Sequence, residues 1–302
     1  MEIRQLAERM KEQLVIRRNS RGGRVAAEHL ISSLRCLYSQ AVADGLISEA
    51  DNPARRVSKP RRLASPRRAL SKAQVVLIND VAATTGNDPD LDALLLRLHL
   101  ETGCRRGGAL DLRRADLDTE HCMIHLHEKG DTTRWQPISP SLAERLDRHA
   151  DERVGKDPDG KLLRYRTGKP ITRRRYDHLW QRLGRCLPWV ETQQISTHWL
   201  RHTTLTWVER AFGYAVARAY AGHNGRSDAG ATSTYVRADL FEVAEALVAL
   251  TGEPHPLVAA VSGRWPEFVV GSMSMADGPK WAAGGPYGSA PLLDTCSSRG
   301  AA

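Results

Sequence analysis

The stretch 91-LDALLLRLHLETGCRRGG-108 carries a strong fold signal, a nearly continuous apolar run that stops at a glycine. Residues 91–101 are apolar enough to predict a helix buried inside the protein. Thr102-Gly103 ends that helix, because glycine readily adopts the left-handed conformation of a helix C-terminus. Arg105 follows closely, where its planar guanidinium could bind a phosphate through two hydrogen bonds. Taken alone, an arginine at a helix end is more often a solvated cap.

The segments on both sides of this stretch predict a mainly helical protein with one small sheet. Before the stretch 91–108, another helix is predicted to begin just after Ser71, which is its candidate N-cap. Residues 121–139 alternate between apolar and polar side chains around a turn at Lys129-Gly130-Asp131, which predicts a β-hairpin. The predicted fold class is therefore mainly α with a small antiparallel β-sheet (α+β). Further helices are predicted over 141–153, 172–186, 197–212 and 239–251.

The composition indicates a partner that carries negative charge. The 302 residues include 44 Lys and Arg against 35 Asp and Glu, which gives a formal net charge of +9. Such a surplus favours a polyanion, because neutralising phosphates releases condensed counterions. No apolar run approaches the roughly 20 residues of a membrane span, so we expect a cytoplasmic protein. The five cysteines form no CxxC pair, so neither a disulfide framework nor a structural zinc module is indicated.

A basic connector separates two predicted domains, and a tail follows them. Residues 1–60 show helical spacing and a helix end at Asp44-Gly45, so we predict a short helical domain. The connector, to about residue 69, is rich in Arg and Pro, which predicts an extended linker. Residues 70–252 form the predicted main domain. Residues 253–302 are rich in Gly, Pro and Ala, and we expect a disordered tail.

One predicted helix start places polar side chains on a common face. His198 and Arg201 lie three residues apart, so both can meet the same ligand. His198 and His202 also have the spacing of a zinc-protease helix. That motif needs a Glu directly after the first His, where this chain has Trp199, so we reject a zinc-protease site.

Two weaker patterns stay open on the residues alone. His121, His125 and His127 alternate along one strand and could bind a metal, although the wet face of a hairpin is the commoner cause. Tyr235 follows a Thr-Ser-Thr run, a position that more often holds an amphipathic surface anchor. Neither pattern decides a function.

The order of these residues resembles the tyrosine recombinase (phage integrase) family over about residues 70–250, and more loosely over 24–60. The matching segments are TGCRRGGALDLRRADLD (102–118), EKGDTTRWQPIS (128–139), THWLRHTTLTWVE (197–209), AGH (221–223) and TSTYVRAD (232–239). They resemble, in turn, the family's first-arginine box, its β-hairpin lysine with the returning strand, its HxxR helix, its second-histidine box and its nucleophile box. The resemblance implies a helical core-binding domain joined to a recombinase-like catalytic domain.

The resemblance implies a site-specific recombinase that cuts and rejoins DNA through a covalent 3′-phosphotyrosyl link, with neither ATP nor a metal as cofactor. Phosphodiesters are negatively charged, so such an enzyme must compensate charge at the non-bridging oxygens. The implied catalytic residues are the nucleophile Tyr235, the proton acceptor His198, the phosphate-binding Arg105 and Arg201, the proton donor Lys129 and the hydrogen-bonding His223.

The implied partners are double-stranded DNA, other copies of the chain in a tetramer on paired sites, and a directionality factor, all in a prokaryotic cytoplasm. The helix after Tyr235 carries an apolar stripe that suits a helix donated to a neighbouring subunit; an ordinary core helix is the alternative. The stripe consists of Leu240, Val243, Leu247 and Leu250. Phosphate contacts are expected from the connector and from the helix start near 172. The expected DNA-binding residues are Arg55, Arg56, Lys59, Arg61, Arg62, Arg67, Arg68, Arg173, Arg174 and Arg175.

Three features depart from the family pattern. Gly108 stands where the first box usually carries a Glu three residues after Arg105, so support for Arg105 is expected from elsewhere in the chain. The interval from His223 to Tyr235 contains an inserted stretch, NGRSDAGA, and residues 1–60 are short for the family's helical domain. Two other functions stay open: a truncated or decayed relative that binds DNA without completing recombination, and a topoisomerase-like enzyme that nicks and closes DNA.

Overall fold

The computed structural model describes residues 3–13, 24–61, 68–128, 132–155, 157–222 and 238–261. The chain divides into two compact units, residues 1–66 and residues 67–302. Among the described helices, none is both long and apolar enough to cross a membrane.

The first unit is a pair of helices, α1 (Ile3–Gln13) and α2 (Arg24–Ala43). The predicted helix end is confirmed, because α2 stops just before Gly45, which has a φ of 71°. The start of the connector packs on α2, since the Arg35 guanidinium donates a 2.7 Å hydrogen bond to the Val57 carbonyl. The small core of this unit consists of Ala7, Ala27, Ile31 and Val57.

The second unit holds the remaining helices and a three-stranded antiparallel sheet in the order β1-β2-β3. Its strands are β1 (Leu117–Asp118), β2 (Met123–Glu128) and β3 (Thr132–Pro137). Its helices are α3 (Lys72–Thr84), α4 (Pro89–Thr102), α5 (Arg106–Asp111), α6 (Pro140–Arg153), α7 (Arg173–Cys186), α8 (Pro188–Thr192), α9 (Thr197–Tyr220), α10 (Leu240–Thr251) and α11 (Pro256–Val261). The predicted fold class, mainly α with a small antiparallel sheet, is confirmed.

Helix α4 runs through the middle of the second unit and is buried on all sides. Leu95 and Leu98 pack in one apolar cluster with Ile124 of the sheet. Leu96 and Leu100 pack in a second cluster on another side of the helix, which contains residues of α3, α7 and α9. A helix enclosed in this way needs apolar residues around its whole circumference. This explains the continuous apolar run in its sequence.

The predicted ends of two helices are also confirmed. Ser71 caps α3: its hydroxyl accepts from the Gln74 backbone N–H at 3.2 Å, and the Gln74 side chain accepts from the Ser71 N–H at 3.0 Å. Gly103 ends α4 with a φ of 57°, in the left-handed region that favours glycine. The chain therefore turns sharply just before Arg105.

The sheet contains the predicted hairpin and one strand that the sequence did not reveal. Strands β2 and β3 pair with His125 opposite Trp135. Strand β1 pairs Leu117 with Ile124, and its two residues are too few to show an alternating pattern. The formation of β1 therefore depends on its pairing with β2 and not on a local sequence pattern.

The predicted tail boundary at residue 253 is wrong, because the next residues pack against the second unit. The Glu253 carboxylate pairs with Arg97 at 2.9 Å and accepts hydrogen bonds from Ser141. His255 is buried, and its Nε2 lies 3.1 Å from the Cys122 carbonyl oxygen. The predicted disordered tail beyond residue 261 lies outside the described residues.

Helix α10 packs inside its own chain, which is the second of the two interpretations left open for its apolar stripe. Val243, Leu247 and Leu250 are buried, and α10 contacts α9 and β3. Leu240, at the start of the stripe, is 39% exposed. The apolar face of α10 is therefore a core face of the second unit.

Candidate active site

Arg105 lies at the start of α5, directly after the turn that ends α4. Its guanidinium hydrogen-bonds to the Glu128 carboxylate at the end of β2, and its backbone N–H lies 3.3 Å from the same carboxylate. The Arg105 side chain is still 40% exposed. One part of this guanidinium is therefore held by the protein, and another part faces solvent.

Arg201 lies on α9 and is almost completely buried. Its Nη1 donates to the Gly103 carbonyl, and its Nη2 donates to the Ala221 carbonyl at 2.8 Å. Burial lowers the pKa of Arg201 to about 10, so the side chain is still protonated at neutral pH. Arg201 thus connects the turn before Arg105 to the end of its own helix.

His198 lies one helical turn before Arg201 and is exposed. Together with Arg105 and Arg201 it lines a cleft of about 690 Å³. The start of α9 is fixed against α7, because the Trp180 indole N–H donates to the Thr197 hydroxyl at 2.9 Å. Three of the six predicted catalytic side chains therefore line one cleft.

The other three predicted catalytic residues, Lys129, His223 and Tyr235, lie outside the described residues. Their neighbours in the sequence are described. Glu128, which precedes Lys129, carries the carboxylate that contacts Arg105. Gly222, which precedes His223, follows the Ala221 carbonyl that binds Arg201.

Arg134 on β3 is a buried arginine that the sequence interpretation missed. Its side chain is 8% exposed, and its Nη2 lies 3.3 Å from the Thr102 carbonyl oxygen and 3.8 Å from the Glu128 carboxylate. Its Nη1 donates to the Gln136 side chain. Burial lowers the pKa of Arg134, and Glu128 opposes that shift. A third guanidinium therefore lies near the carboxylate that contacts Arg105.

The support expected for Arg105 from outside its own box is found at Glu128. The sequence contains a signal for this, because Glu128 continues the inward-facing positions Ile124 and Leu126 of β2. A carboxylate on an inward face requires a buried cationic partner. The identity of that partner depends on the tertiary fold and could not be predicted.

A buried histidine supports the same turn from the other side. His99 on α4 lies 3.1 Å from the Cys104 carbonyl oxygen through Nδ1 and 2.9 Å from the Tyr176 hydroxyl through Nε2. Burial lowers the pKa of His99 to about 4. A neutral imidazole that donates to Cys104 and accepts from Tyr176 satisfies both contacts. This network fixes the backbone just before Arg105.

The three consecutive arginines at the start of α7 have different environments. Arg173 is exposed and lines the cleft, and Arg174 is exposed. Arg175 is buried: its Nε donates to Asp92 at 2.8 Å and its Nη1 donates to the Asn87 side chain at 2.7 Å. The expectation that Arg175 binds DNA is therefore wrong, since its guanidinium is used to join α7 to α4.

The predicted DNA-binding residues of the connector are exposed wherever they are described. Arg55 forms an exposed ion pair with Glu49 at 2.8 Å. Arg62 and Arg67 lie outside the described residues. The exposed members are Arg55, Arg56, Lys59, Arg61 and Arg68.

The histidines of the hairpin have defined contacts on the sheet. Asp116 accepts the Arg113 backbone N–H through one carboxylate oxygen and lies 3.0 Å from His127 Nε2 through the other. The His125 ring stacks on Trp135. Asp116, His125 and His127 lie close enough together to hold a metal ion. Hydrogen bonding and ring stacking equally explain the arrangement, so both interpretations of this stripe stay open.

Comparisons with known proteins agree with this architecture. Residues 68–240 match the model of the phage integrase family. The chain is 30% identical to tyrosine recombinase XerC of Chlamydia caviae over 173 residues, which is 55% of this chain and 53% of that protein. The chain thus spans about half the length of that relative.

Solved structures share the fold. The Tn1549 transposon integrase in complex with circular intermediate DNA aligns with a TM-score of 0.56 and 20% identity, over 82% of this chain and 84% of that one. A lambda integrase tetramer bound to a Holliday junction aligns with a TM-score of 0.55 and 15% identity, over 75% and 64% of the two chains. At these identities the likeness concerns the fold.

Proposed function

Because this chain belongs to the phage integrase family, we propose that it is a site-specific recombinase that breaks and rejoins DNA through a covalent 3′-phosphotyrosyl intermediate on Tyr235. The observation that carries the proposal is the position of Arg105, Arg201 and His198 on one cleft. Two guanidinium groups beside an imidazole suit a phosphodiester, which must gain negative charge at its non-bridging oxygens during attack.

The two arginines would bind the reacting phosphate in different ways. Arg201 uses two of its N–H donors to bind the Gly103 and Ala221 carbonyls, and these hydrogen bonds fix the plane of its guanidinium. An arginine has five such donors, so others remain for a phosphate. Arg105 is fixed by Glu128 on one side and is exposed on another. Preorganised donors of this kind stabilise developing charge without rearranging during the reaction.

The proposed reaction keeps the number of phosphate ester bonds constant. The Tyr235 oxygen attacks phosphorus, a Tyr–O–P bond forms, and the bond from phosphorus to the 5′ oxygen breaks. His198 accepts the phenol proton, Lys129 donates a proton to the leaving 5′ oxygen, and His223 hydrogen-bonds the phosphate. A 5′-hydroxyl of a second strand then reverses these steps. The energy of the broken ester is kept in the phosphotyrosine, so the proposal includes no ATP.

Duplex DNA would be bound by exposed basic residues around this cleft and in the connector. Arg173 and Arg174 lie exposed at the start of α7, and Arg173 also lines the cleft. Phosphate contacts of this kind orient a protein on DNA without reading its sequence. A tetramer on paired sites, a directionality factor and a cytoplasmic location on DNA complete the proposal.

Covalent capture tests the proposal. Labelled duplexes with a randomised core and a nick beside it are incubated with the full chain in EDTA. The 3′-linked adducts are then separated under denaturing conditions and sequenced. Tyr235→Phe removes only the nucleophilic hydroxyl, so it should form no adduct and keep its affinity for the same duplexes. Tyr214→Phe, which changes a tyrosine 56% exposed on α9, is the matched control and should form adducts normally.

The outcomes separate the proposed function from its alternatives. Adducts that persist in Tyr235→Phe would exclude Tyr235 as the nucleophile. DNA binding without adduct formation by the wild-type chain would indicate the relative that binds DNA without cutting it. Tyr235-dependent relaxation of supercoiled plasmid without any strand exchange between two captured duplexes would indicate the nicking-closing enzyme instead.

A further inference from the structure

One buried carboxylate lies among all three arginines of the site. The Glu128 side chain is 2% exposed and hydrogen-bonds to Arg105. The same carboxylate lies 3.8 Å from Arg134 Nη2 and 3.9 Å from Arg201 Nη1. Glu128 ends β2, while Arg105 directly precedes α5, Arg134 lies on β3 and Arg201 lies on α9. One side chain therefore connects the sheet to α9 and to the start of α5.

The charge of Glu128 is needed to hold these arginines together. Burial lowers the pKa of both Arg134 and Arg201, Arg105 adds to that shift, and the Glu128 carboxylate opposes it at both. A buried carboxylate is equally unfavourable without a cation beside it. Removing Glu128 would leave three guanidinium groups that repel one another, and they would move apart or admit water.

Gly108 allows β2 to approach α5 closely beside Glu128. A Cβ atom at position 108 would lie 3.2 Å from the His127 carbonyl oxygen and 3.5 Å from Glu128 Cγ. Gly108 does not have a positive φ, so its backbone conformation alone does not require glycine. The close approach of β2 is the reason for glycine here. A side chain at position 108 would therefore press on the backbone of β2 next to Glu128.

We propose that Glu128 is a positioning residue for the reaction: it orients Arg105 and Arg201 toward the phosphate, and Gly108 permits the close approach of β2 that places Glu128 there. This inference rests on the proposed function. Glu128 does not touch the DNA in this proposal; it acts through the two arginines. A misplacement of catalytic groups by about 1 Å can slow a reaction by about 10²-fold. The expected effect of losing Glu128 is therefore on the rate of adduct formation, with little change in DNA affinity.

Single-turnover adduct formation at saturating duplex tests the inference, with the duplexes recovered by covalent capture from the wild-type chain. Glu128→Gln keeps the shape and loses the charge, and it should slow adduct formation by about 10²-fold while its Kd changes less than threefold. Glu128→Asp keeps the carboxylate on a side chain that is shorter by one methylene group. It should be faster than Glu128→Ala, because a negative charge stays beside the three arginines.

Glu101→Gln is the control for lost stability. Glu101 is another fully buried carboxylate, which accepts hydrogen bonds from Arg97 at 2.7 Å and from the Ser139 N–H at 2.9 Å, and it does not line the cleft. The Glu101→Gln substitution should lower the Tm yet leave the single-turnover rate within twofold of wild type. An equal slowing in Glu101→Gln, or no gain of Glu128→Asp over Glu128→Ala, would reduce Glu128 to a stabilising role and overturn the inference.

The two proposals fail in distinguishable ways. If the wild-type chain forms no Tyr235-dependent adduct, the proposed function fails, and with it the premise of this test. If the wild-type chain forms the adduct and Glu128→Gln forms it at the same rate, the positioning role alone is overturned.

Discussion

Replacement of Arg201 should separate catalysis from stability. Arg201→Ala removes a guanidinium that is expected to stabilise charge on the reacting phosphate. An arginine clamp on a transferring phosphoryl group accelerates the reaction by about 10³-fold or more, which is about 4 kcal/mol of activation free energy. We therefore expect adduct formation at saturating DNA to fall by at least that factor, with a modest loss of affinity.

The same substitution should lower the free energy of unfolding. The carbonyl oxygens of Gly103 and Ala221 would each lose a buried donor. Each buried polar group left without a partner costs about 1–3 kcal/mol, so a loss of about 2–6 kcal/mol is expected. Relief of repulsion with Arg105 and Arg134 reduces that figure. Arg201→Lys keeps the charge but not the planar fork, so intermediate losses of rate and stability are expected.

Arg175→Ala is the matched control, because Arg175 is also buried and paired. Removing Arg175 takes a donor from the Asn87 side chain and from the Asp88 carbonyl, at about 1–3 kcal/mol each, while Asp92 keeps its pair with Arg182, so a loss comparable to that at Arg201 is expected. Urea unfolding gives the stability of each variant, and single-turnover adduct formation well below each Tm gives the rate. A wild-type rate in Arg201→Ala would refute the catalytic role. So would an equally slow Arg175→Ala, since lost stability would then explain both variants.

Two further predictions concern DNA affinity and acid stability. Arg61→Ala/Arg62→Ala should reduce the log–log salt slope of Kd by about 0.9 per lost phosphate contact, while adduct formation at saturating DNA is kept. Arg148→Ala, which removes one side of an exposed ion pair on a helix, is the control and should leave the slope unchanged. An unchanged slope in the double variant would exclude phosphate contacts by Arg61 and Arg62. His99 takes up a proton near pH 6.5 when unfolded but only near pH 4 when folded, so acid favours the unfolded chain. The free energy of unfolding should therefore fall between about pH 6.5 and about pH 4, and His99 contributes at most about 3 kcal/mol to that fall. Urea unfolding of His99→Gln should show a flatter pH dependence than the wild-type chain. The same pH dependence in both would contradict a lowered pKa of His99.

The sequence predicted those parts of the fold whose signals are local. The apolar run of α4, the cap at Ser71 and the alternation of the β2–β3 hairpin depend on neighbouring residues, and the structure confirms all three. The packing of residues 253–261 was missed, because a short helix after Glu253 stands in a stretch of Gly-, Pro- and Ala-rich composition. Its stability comes from contacts such as Glu253 with Arg97, which join distant positions.

The site was predicted only where resemblance supplied the order of its residues. Three consecutive arginines at the start of α7 look alike locally, yet Arg175 is buried and Arg173 is exposed. Helical periodicity contained the distinction, because Arg175 precedes the buried Leu179 by four residues. No local sequence pattern indicated that Glu128 would lie among three arginines from different parts of the chain. Such an ion-pair network becomes visible only when the elements are packed together.

The burial of Arg201 affects which residues would change first if the proposed activity were lost during evolution. Arg201 donates hydrogen bonds to two backbone carbonyls in the core. Selection for folding would therefore retain it, even after selection for recombination ends. His198 is exposed and Arg105 is partly exposed, so neutral drift would alter them first. An inactive descendant would thus keep Arg201 and lose the cleft's outer residues. The presence of His198 and Arg105 together is therefore a stronger sign of a working enzyme than Arg201 itself.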